Sequence, residues 1–313
     1  MMSDITLGIT AVAFSRDNEL VQYAKKHYPG KVILNEKGRR LTPKELRELL
    51  GKCNHAIVGL DPVDGELIKD CPNLKIISKY GVGLDNIDFA ACEENAVLVT
   101  YPKGVNKRSV SEEFLGCTLS LLRNLYITSN RLKYNNEWFV DGGVQLTGKT
   151  VGVIGVGYAG KDVIELLRPF DCRILVNDIV DQHSYYESVG AQSVSKEYIY
   201  EHADVITLHT PRTKDTVGMI DASALSKMKR TAIVINIARG GLVDEEALKV
   251  SLLEGRIGGA ALDVYQSEPP SDRTLLEIPN LMCMPHIGGN AREAVLAMGH
   301  AAIDNLLREI NEY

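Results

Sequence analysis

The stretch TVGVIGVGYAGKDVIELLRPFDCRILVND, residues 150–178, constrains this chain more than any other. An apolar strand runs into Gly155, Gly157 and Gly160, a helical pattern follows, and a second apolar strand ends at Asp178. Gly155 permits a tight turn after the strand, Gly157 lets the backbone approach a ligand without a Cβ in the way, and Gly160 lets the helix lie close to the sheet. Unpaired N–H groups at such a helix start face phosphates, where the helix dipole favours negative charge. Asp178 follows Gly160 by eighteen residues, about where a carboxylate meets the adenosine ribose hydroxyls and repels the extra phosphate of NADP. These features together describe a dinucleotide-binding unit with NAD as its cofactor. A glycine loop alone also occurs in other α/β proteins; the strand before it, the helix after it and the placed acid make this one specific.

At 313 residues the chain is too long for one ordinary core and fits about two domains. With 45% apolar and 24% charged residues it has the composition of a soluble globular protein. The net charge is −6, and basic clusters such as Lys37, Arg39 and Arg40 are short, so nucleic acid is not an expected partner. The start, MMSDITLGITAVAF, carries Asp4 at once and alternates like a strand, unlike a signal peptide. No apolar run approaches the roughly 18 residues of a membrane helix; FLGCTLSLL is broken by Arg123 and Asn124. Cys53, Cys71, Cys92, Cys117, Cys172 and Cys283 lack CxxC or other ligand spacing. They read as reduced thiols of a cytoplasmic protein, with neither a disulfide frame nor a metal site.

Short apolar runs alternate with helical patterns from end to end, which implies parallel sheets covered by helices. Strands are expected near Ile5 to Ala13, Lys31 to Leu34, Ala56 to Gly59, Leu74 to Ser78 and Val97 to Thr100. TPKELRELL starts a helix, with Thr42 as N-cap, Pro43 at the first helical position and Glu45 completing a capping box. A long helical stretch follows from about Ser109. VGVIG then opens a second unit with strands at Arg173 to Asn177, Val205 to Leu208, Ala232 to Asn236, Ile257 to Leu262 and Leu281 to Met284. The last helix, Ala291 to about Asn311, has no strand after it and is expected to return to the first domain. Pro102 and the segment Pro285 to Gly289 are the natural crossings. The expected architecture is two doubly wound parallel-sheet, Rossmann-like domains with a cleft between them. Residues 1–101 plus 287–313 form the substrate domain, and residues 102–286 form the NAD domain.

Ligands of an open parallel sheet bind outside the carboxyl ends of its strands. In the second unit those ends read Asp178, His209, Arg239, Asp263 and His286. Arg239 can grip a substrate carboxylate in a bidentate fork or polarise a carbonyl. Histidine is the side chain that both takes and gives a proton near neutrality, which suits His286. Glu268, just before Pro269 and Pro270, can hold that imidazole as the acid of a catalytic triad does. A hydride acceptor, a base and a carboxylate anchor are what oxidation of a 2-hydroxy acid requires.

Plainer roles exist for each. A strand-end histidine taken alone is more often structural; His209, in HTP, has a structural or cofactor-contact role, since the triad logic has no place for it. His27, His55, His183, His202 and His300 stand without partners in the pattern and read as surface or core residues. Arg239 lies between apolar residues and glycine, so an anion from protein or ligand must meet it. An acid before prolines, such as Glu268, is common in solvated loops.

At these residues the chain resembles the D-isomer-specific 2-hydroxyacid dehydrogenases, and phosphoglycerate-dehydrogenase-like members in particular. The resemblance runs nearly end to end, through KYGVGLDNID, NKRSVSEEFLG, VGVIGVGYAG, HTPRTKDTVGMI, NIARGGLVDEEAL, GGAALDVYQSEPP and PHIGG. It implies Arg239, Glu268 and His286 as the catalytic three. It implies that Lys79, Tyr80, Gly81, Val82 and Gly83, with Arg239 and His286, meet the substrate, the loop through its N–H groups. Cofactor contacts implied are Gly155, Gly157, Tyr158, Ala159, Gly160, Asp178, His209, Thr210, Pro211, Thr216, Ile237, Ala238, Arg239, Asp263, His286 and Gly288, with Asp263 at the nicotinamide carboxamide. The region after Asn106 resembles the family's dimerisation arm, so a twofold homodimer is expected.

Glutamate at 268 is unlike the formate-dehydrogenase branch. Phosphoglycerate dehydrogenases often carry arginine where Lys79 stands and a basic residue at the position of Glu94, where an acid would repel phosphate. The chain ends at Tyr313 without the regulatory domains of some members, so no serine-binding site is expected. Asn290 replaces a common threonine, without a physical account. Phosphoglycerate therefore stands beside glyoxylate, hydroxypyruvate and other small 2-oxo acids. The alternative is an NAD(H)-sensing binding protein like the corepressors that share this fold and keep the same three residues.

Overall fold

The computed structural model of the chain describes residues 5–312. The chain divides into two compact units, one of the residues up to Asn106 together with those from Gly289, the other Lys107–Gly288. The crossings thus fall four residues past Pro102 and inside the segment Pro285 to Gly289.

The first unit runs β1 (Thr6–Ile9), α1 (Val12–Arg16), α2 (Asn18–His27), β2 (Lys31–Leu34), α3 (Pro43–Leu50) and β3 (His55–Val58). It continues with α4 (Gly65–Asp70), β4 (Ile76–Lys79), α5 (Phe89–Glu94) and β5 (Leu98–Thr100). Its strands form a parallel five-stranded sheet in the order β2-β1-β3-β4-β5. Leu7, Ile9, Ile57 and Ile76 point to one face, with Phe14, Leu20 and Ala24. Ala56, Val58 and Ile77 point to the other, with Leu46, Leu50, Leu67 and Ile68. Each such buried aliphatic side chain contributes about 1.5–3 kcal/mol. The α3 start carries the expected capping box: Thr42 Oγ1 accepts from the Glu45 N–H, and Glu45 accepts from the Thr42 N–H at 2.8 Å.

The strand expected over Ile5 to Ala13 is corrected. It stops at Ile9, and the chain turns into α1 so that Phe14 reaches the core. Thr10 Oγ1 donates to Asp61 Oδ2 at 2.6 Å, which ties the strand end to the β3 loop. The apolar run there served a strand and then a helix, and periodicity alone does not separate the two.

The second unit begins with α6 (Lys107–Leu122) and α7 (Leu125–Asn135). The long helical stretch expected from about Ser109 is built of two helices, with Asn124 at a left-handed φ of 51° between them. Then follow β6 (Thr150–Ile154), α8 (Tyr158–Leu167), β7 (Arg173–Asn177), α9 (His183–Val189), β8 (Gln192–Ser193) and α10 (Lys196–His202). The unit closes with β9 (Val205–Leu208), α11 (Ala222–Lys227), β10 (Ile233–Asn236), α12 (Glu245–Leu253), β11 (Gly259–Leu262), α13 (Arg273–Leu276) and β12 (Leu281–Cys283). Its parallel seven-stranded sheet has the order β12-β11-β10-β9-β6-β7-β8. Val151 and Val153 pack with α6 and α8 on one face, while Ile154, Ile206 and Val234 pack with α10, α11 and α12 on the other. Burial on both faces is why these strands read as continuous apolar runs.

The last helix, α14 (Arg292–Glu312), returns to the first unit. There Ala302, Ile303 and Leu306 join the core, and Ser78 Oγ donates to the Ala302 carbonyl at 2.7 Å.

Candidate active site

The strand order places the polar strand ends of the second unit in one row: His286, Asp263, Arg239, His209, the glycine turn and Asp178. Because β6 is flanked by β7 on one side and β9 on the other, the glycine turn lies where the winding reverses, the position at which such sheets hold ligands.

The turn fits a pyrophosphate. Gly155 has φ +94°, and a Cβ there would lie 2.6 Å from the His209 carbonyl oxygen, so no other residue takes its place without distortion. A Cβ at Gly160 would lie 2.1 Å from the Gly155 carbonyl oxygen, which shows how closely the helix approaches the strand end. At Gly157, the α8 N-cap, a Cβ would meet nothing within 4 Å, and no side chain caps the helix. The first N–H groups of α8 therefore face open space suited to an anion. Tyr158 beside them is exposed. Asp178 accepts from the Val156 N–H at 2.5 Å through Oδ2 and from the Val180 N–H at 2.8 Å through Oδ1. Its carboxylate is fixed beside the glycine turn.

Around β9, His209 lies edge-on to Phe114, with Nε2 3.0 Å from Thr207 Oγ1, and burial pushes its imidazole down to about 4. A neutral, packed ring agrees with a structural or cofactor-contact role and not with proton transfer. Thr216 Oγ1 donates to the Pro211 carbonyl at 2.8 Å and shapes the loop after Thr210.

The catalytic candidates gather at β10, β11 and β12. Asn236 Nδ2 donates to the Arg239 carbonyl at 2.9 Å, and Arg239 Nη1 donates to the Ala238 carbonyl at 2.7 Å, so both backbone and guanidinium are held. Tyr265 donates its hydroxyl to the Leu262 and Met284 carbonyls at 3.1 and 3.0 Å, joining the ends of β11 and β12. Its N–H donates to Glu268 Oε1 at 3.2 Å, which turns Oε2 toward His286 Nδ1, 2.8 Å away. His286 has φ +59°, a conformation rare outside glycine. It is held by Asp263, whose two oxygens accept from the Ile287 and Gly288 N–H groups at 2.7 and 2.8 Å. Burial raises the Asp263 carboxyl above its ordinary range, against the pull of those N–H groups.

With that geometry in place, residues 115–288 match the family model for the "D-isomer specific 2-hydroxyacid dehydrogenase, NAD binding domain". The chain belongs to the D-isomer-specific 2-hydroxyacid dehydrogenases. It is 33% identical over 273 residues to a glyoxylate reductase from Korarchaeum cryptofilum, covering 84% of this chain and 82% of the relative. It is 37% identical over 249 residues to a D-3-phosphoglycerate dehydrogenase from Archaeoglobus fulgidus, covering 78% of this chain. The chain spans about half the length, 47%, of that relative. Among solved structures, the TT0316 protein from Thermus thermophilus superimposes with a TM-score of 0.88 at 28% identity over 98% of this chain and 97% of the other. The matched residues lie within the second unit.

In the first unit, the loop expected to meet the substrate follows β4. Gly81 has φ +116°, and Gly81, Val82 and Gly83 are half-buried. Lys79 is buried and its ammonium donates to the Gly59 carbonyl and to Asn86 Oδ1, so it is engaged within its own unit. Tyr80 packs edge-on against Phe14, and burial pushes its hydroxyl up to about 12.

Two residues of α6 went unassigned in the sequence. Ser109 Oγ donates to the Gly288 carbonyl at 2.6 Å. Glu113 sits beside Asp263 and Gly288: a Cβ at Gly288 would lie 2.6 Å from Glu113 Oε2 and 3.2 Å from Asp263 Oδ2. The available signal was position, since Glu113 shares the helix face of Val110, Phe114 and Cys117, where an acid needs a partner. Among the described residues, no group of three or more His, Cys, Asp or Glu is placed to hold a metal ion, and no helix is long and apolar enough to cross a membrane.

Proposed function

We propose that this chain is an NAD-dependent oxidoreductase interconverting a small D-2-hydroxy acid and its 2-oxo acid, of the 3-phosphoglycerate, glyoxylate or hydroxypyruvate type. The observation that carries this reading is the 2.8 Å contact between His286 Nδ1 and Glu268 Oε2 in the row of strand ends that also holds Arg239 and the glycine turn. Gly155, Gly157, Gly160 and Asp178 would hold the dinucleotide, and Asp263 its nicotinamide end. Bound there, the nicotinamide supplies the two-electron hydride exchange.

The chain's own residues do the rest. With Nδ1 committed to Glu268, His286 exchanges a proton with the substrate through Nε2, taking it from the hydroxyl in oxidation and returning it to the carbonyl oxygen in reduction. Glu268 keeps the ring oriented through its contact with Nδ1. Arg239 aligns the substrate carboxylate and the developing carbonyl. The 79–83 loop of the first unit, the substrate domain in this proposal, offers N–H groups to that carboxylate. Engagement of the Lys79 ammonium with Gly59 and Asn86 favours an unphosphorylated 2-oxo acid. A twofold homodimer through the region after Asn106 belongs to the proposal and is supported by the exposed Leu125, Leu132, Tyr134, Trp138 and Val140. The six free thiols agree with a reducing cytoplasm.

Loss of NADH absorbance with purified protein tests the proposal, against glyoxylate, hydroxypyruvate, 3-phosphohydroxypyruvate and bulkier 2-oxo acids. Turnover with one favoured substrate, abolished in His286→Ala while NADH still binds, is the expected result. NADH binding without turnover on any 2-oxo acid would overturn it in favour of a sensing role.

A further inference from the structure

Glu113 has no part in the reaction outlined above, yet its carboxyl lies beside Asp263 at the turn that carries His286. It projects from α6 toward the carboxyl end of β11, so that Glu113 Oε2 and Asp263 Oδ2 lie together at Gly288. Neither Glu113 oxygen receives a hydrogen bond among the described residues, and both are buried. Two ionised carboxylates in that arrangement would repel each other. Asp263 already accepts two N–H bonds, so it is the better placed to keep its charge.

We propose that Glu113 is a positioning residue: it stays a neutral acid, donates its proton to the Asp263 carboxylate, and thereby fixes the carboxylate that holds the Ile287 and Gly288 N–H groups and the turn of His286. The assignment rests on the dehydrogenase reading for its purpose, but not for its geometry.

The surroundings of Glu113 agree. Burial and the neighbouring Asp263 push its carboxyl up to about 8, and the side-chain hydrogen bond to Asp263 acts in the same direction. On α6 itself Cys117 is held neutral by burial. On α8 the nearest acid, Asp162, is paired with Arg108 at 2.9 Å and Lys107 at 3.9 Å. His209 on the β9 side is neutral. β10 brings no titratable side chain within its span, and His286 acts on the pair only through Asp263. Glu113 therefore holds its proton beside the Asp263 carboxylate near neutrality and loses it as pH rises past about 8.

Glu113→Gln keeps the shape and a donor N–H but cannot ionise; Glu113→Ala removes both. Infrared spectra of the cofactor-free protein are expected to show a protonated-carboxyl band at pH 7 that disappears at pH 9.5 and is absent from Glu113→Gln. NADH affinity, read by fluorescence, is expected to weaken at least threefold from pH 7 to 9.5 in the wild type and to change less in Glu113→Gln. Glu113→Ala should bind NADH weakly at both pH values, and Glu113→Gln should restore most of that loss. A wild type without the band, a band that survives in Glu113→Gln, or superimposable pH curves would overturn the assignment. Both readouts are free of turnover, so an inactive enzyme would count against the dehydrogenase reading and leave this test standing.

Discussion

His286 Nδ1 and Glu268 Oε2 lie 2.8 Å apart although eighteen residues separate them, and the contact is built from both sides. Tyr265 N–H holds Glu268 Oε1, while Asp263 holds the two N–H groups after His286. The pair is preorganised by backbone hydrogen bonds, so the imidazole need not search for its orientation during the reaction.

Glu268→Gln keeps the shape of that contact and removes the charge. We expect kcat/KM for 2-oxo acid reduction to fall roughly 10²-fold, because the imidazolium loses the anion that favours it. Steady-state kinetics checks this; a variant within threefold of wild type would mean that Glu268 does not act on His286.

Arg239 is fixed through Asn236 and through its own Nη1 bond to Ala238. Arg239→Lys keeps the positive charge but loses the planar fork that meets a carboxylate with two parallel bonds. The expected loss is about 10²-fold in kcat/KM, about 2.7 kcal/mol of transition-state stabilisation, with NADH affinity little altered. Steady-state kinetics beside NADH titration separates the two effects, and a variant within threefold of wild type would remove Arg239 from the substrate's carboxylate.

Much of this was legible in the chain because it depends on local chemistry. The glycine turn, Asp178 and the strand ends follow from spacing, since a parallel sheet brings all its carboxyl ends to one edge. The two-residue β8 was too short to show a pattern. The end of β1 and the break at Asn124 were set by tertiary contacts and one left-handed residue, neither of which leaves a period in the sequence. Lys79 was expected with its loop to meet the substrate, and its ammonium bonds to Gly59 and Asn86, which the sequence did not show. Those partners stand 20 and 7 residues away, and only the fold shows which loops meet. Glu113 was hidden for a similar reason: its neighbour, Asp263, stands just past the end of β11, far along the chain.

A stability prediction concerns His55, which is buried with Nδ1 2.7 Å from the Tyr28 hydroxyl. Burial lowers its imidazole from 6.5 to about 4. Above pH 6.5 both folded and unfolded chains carry it neutral, and its contribution to stability is complete. As pH falls from 6.5 toward 4 the unfolded chain takes up a proton that the native state refuses, so stability is lost, by about 2–3 kcal/mol at pH 4. His209, lowered to about 4 by burial, acts in the same direction. Urea unfolding at pH 7 and pH 4.5, followed by circular dichroism, should therefore show a smaller acid loss in His55→Gln than in the wild type. Equal losses would mean that His55 is accessible to protons in the folded state.

Cofactor choice is expected to turn on Asp178. Its oxygens are held by the Val156 and Val180 N–H groups, so the carboxylate stays beside the glycine turn and cannot swing away from a 2′-phosphate. Each oxygen keeps a second lone pair for a ribose hydroxyl, which a phosphorylated ribose lacks at that position. NAD(H) should accordingly be preferred over NADP(H) by at least tenfold in kcat/KM, about 1.4 kcal/mol. Because Asp178 also braces the turn, Asp178→Ser should weaken both cofactors, but it should shrink the ratio between them to below about threefold as the repulsion is removed. The ratio is thus the informative quantity: equal use of both cofactors by the wild type, or an unchanged preference in Asp178→Ser, would place the discrimination elsewhere in the ribose pocket.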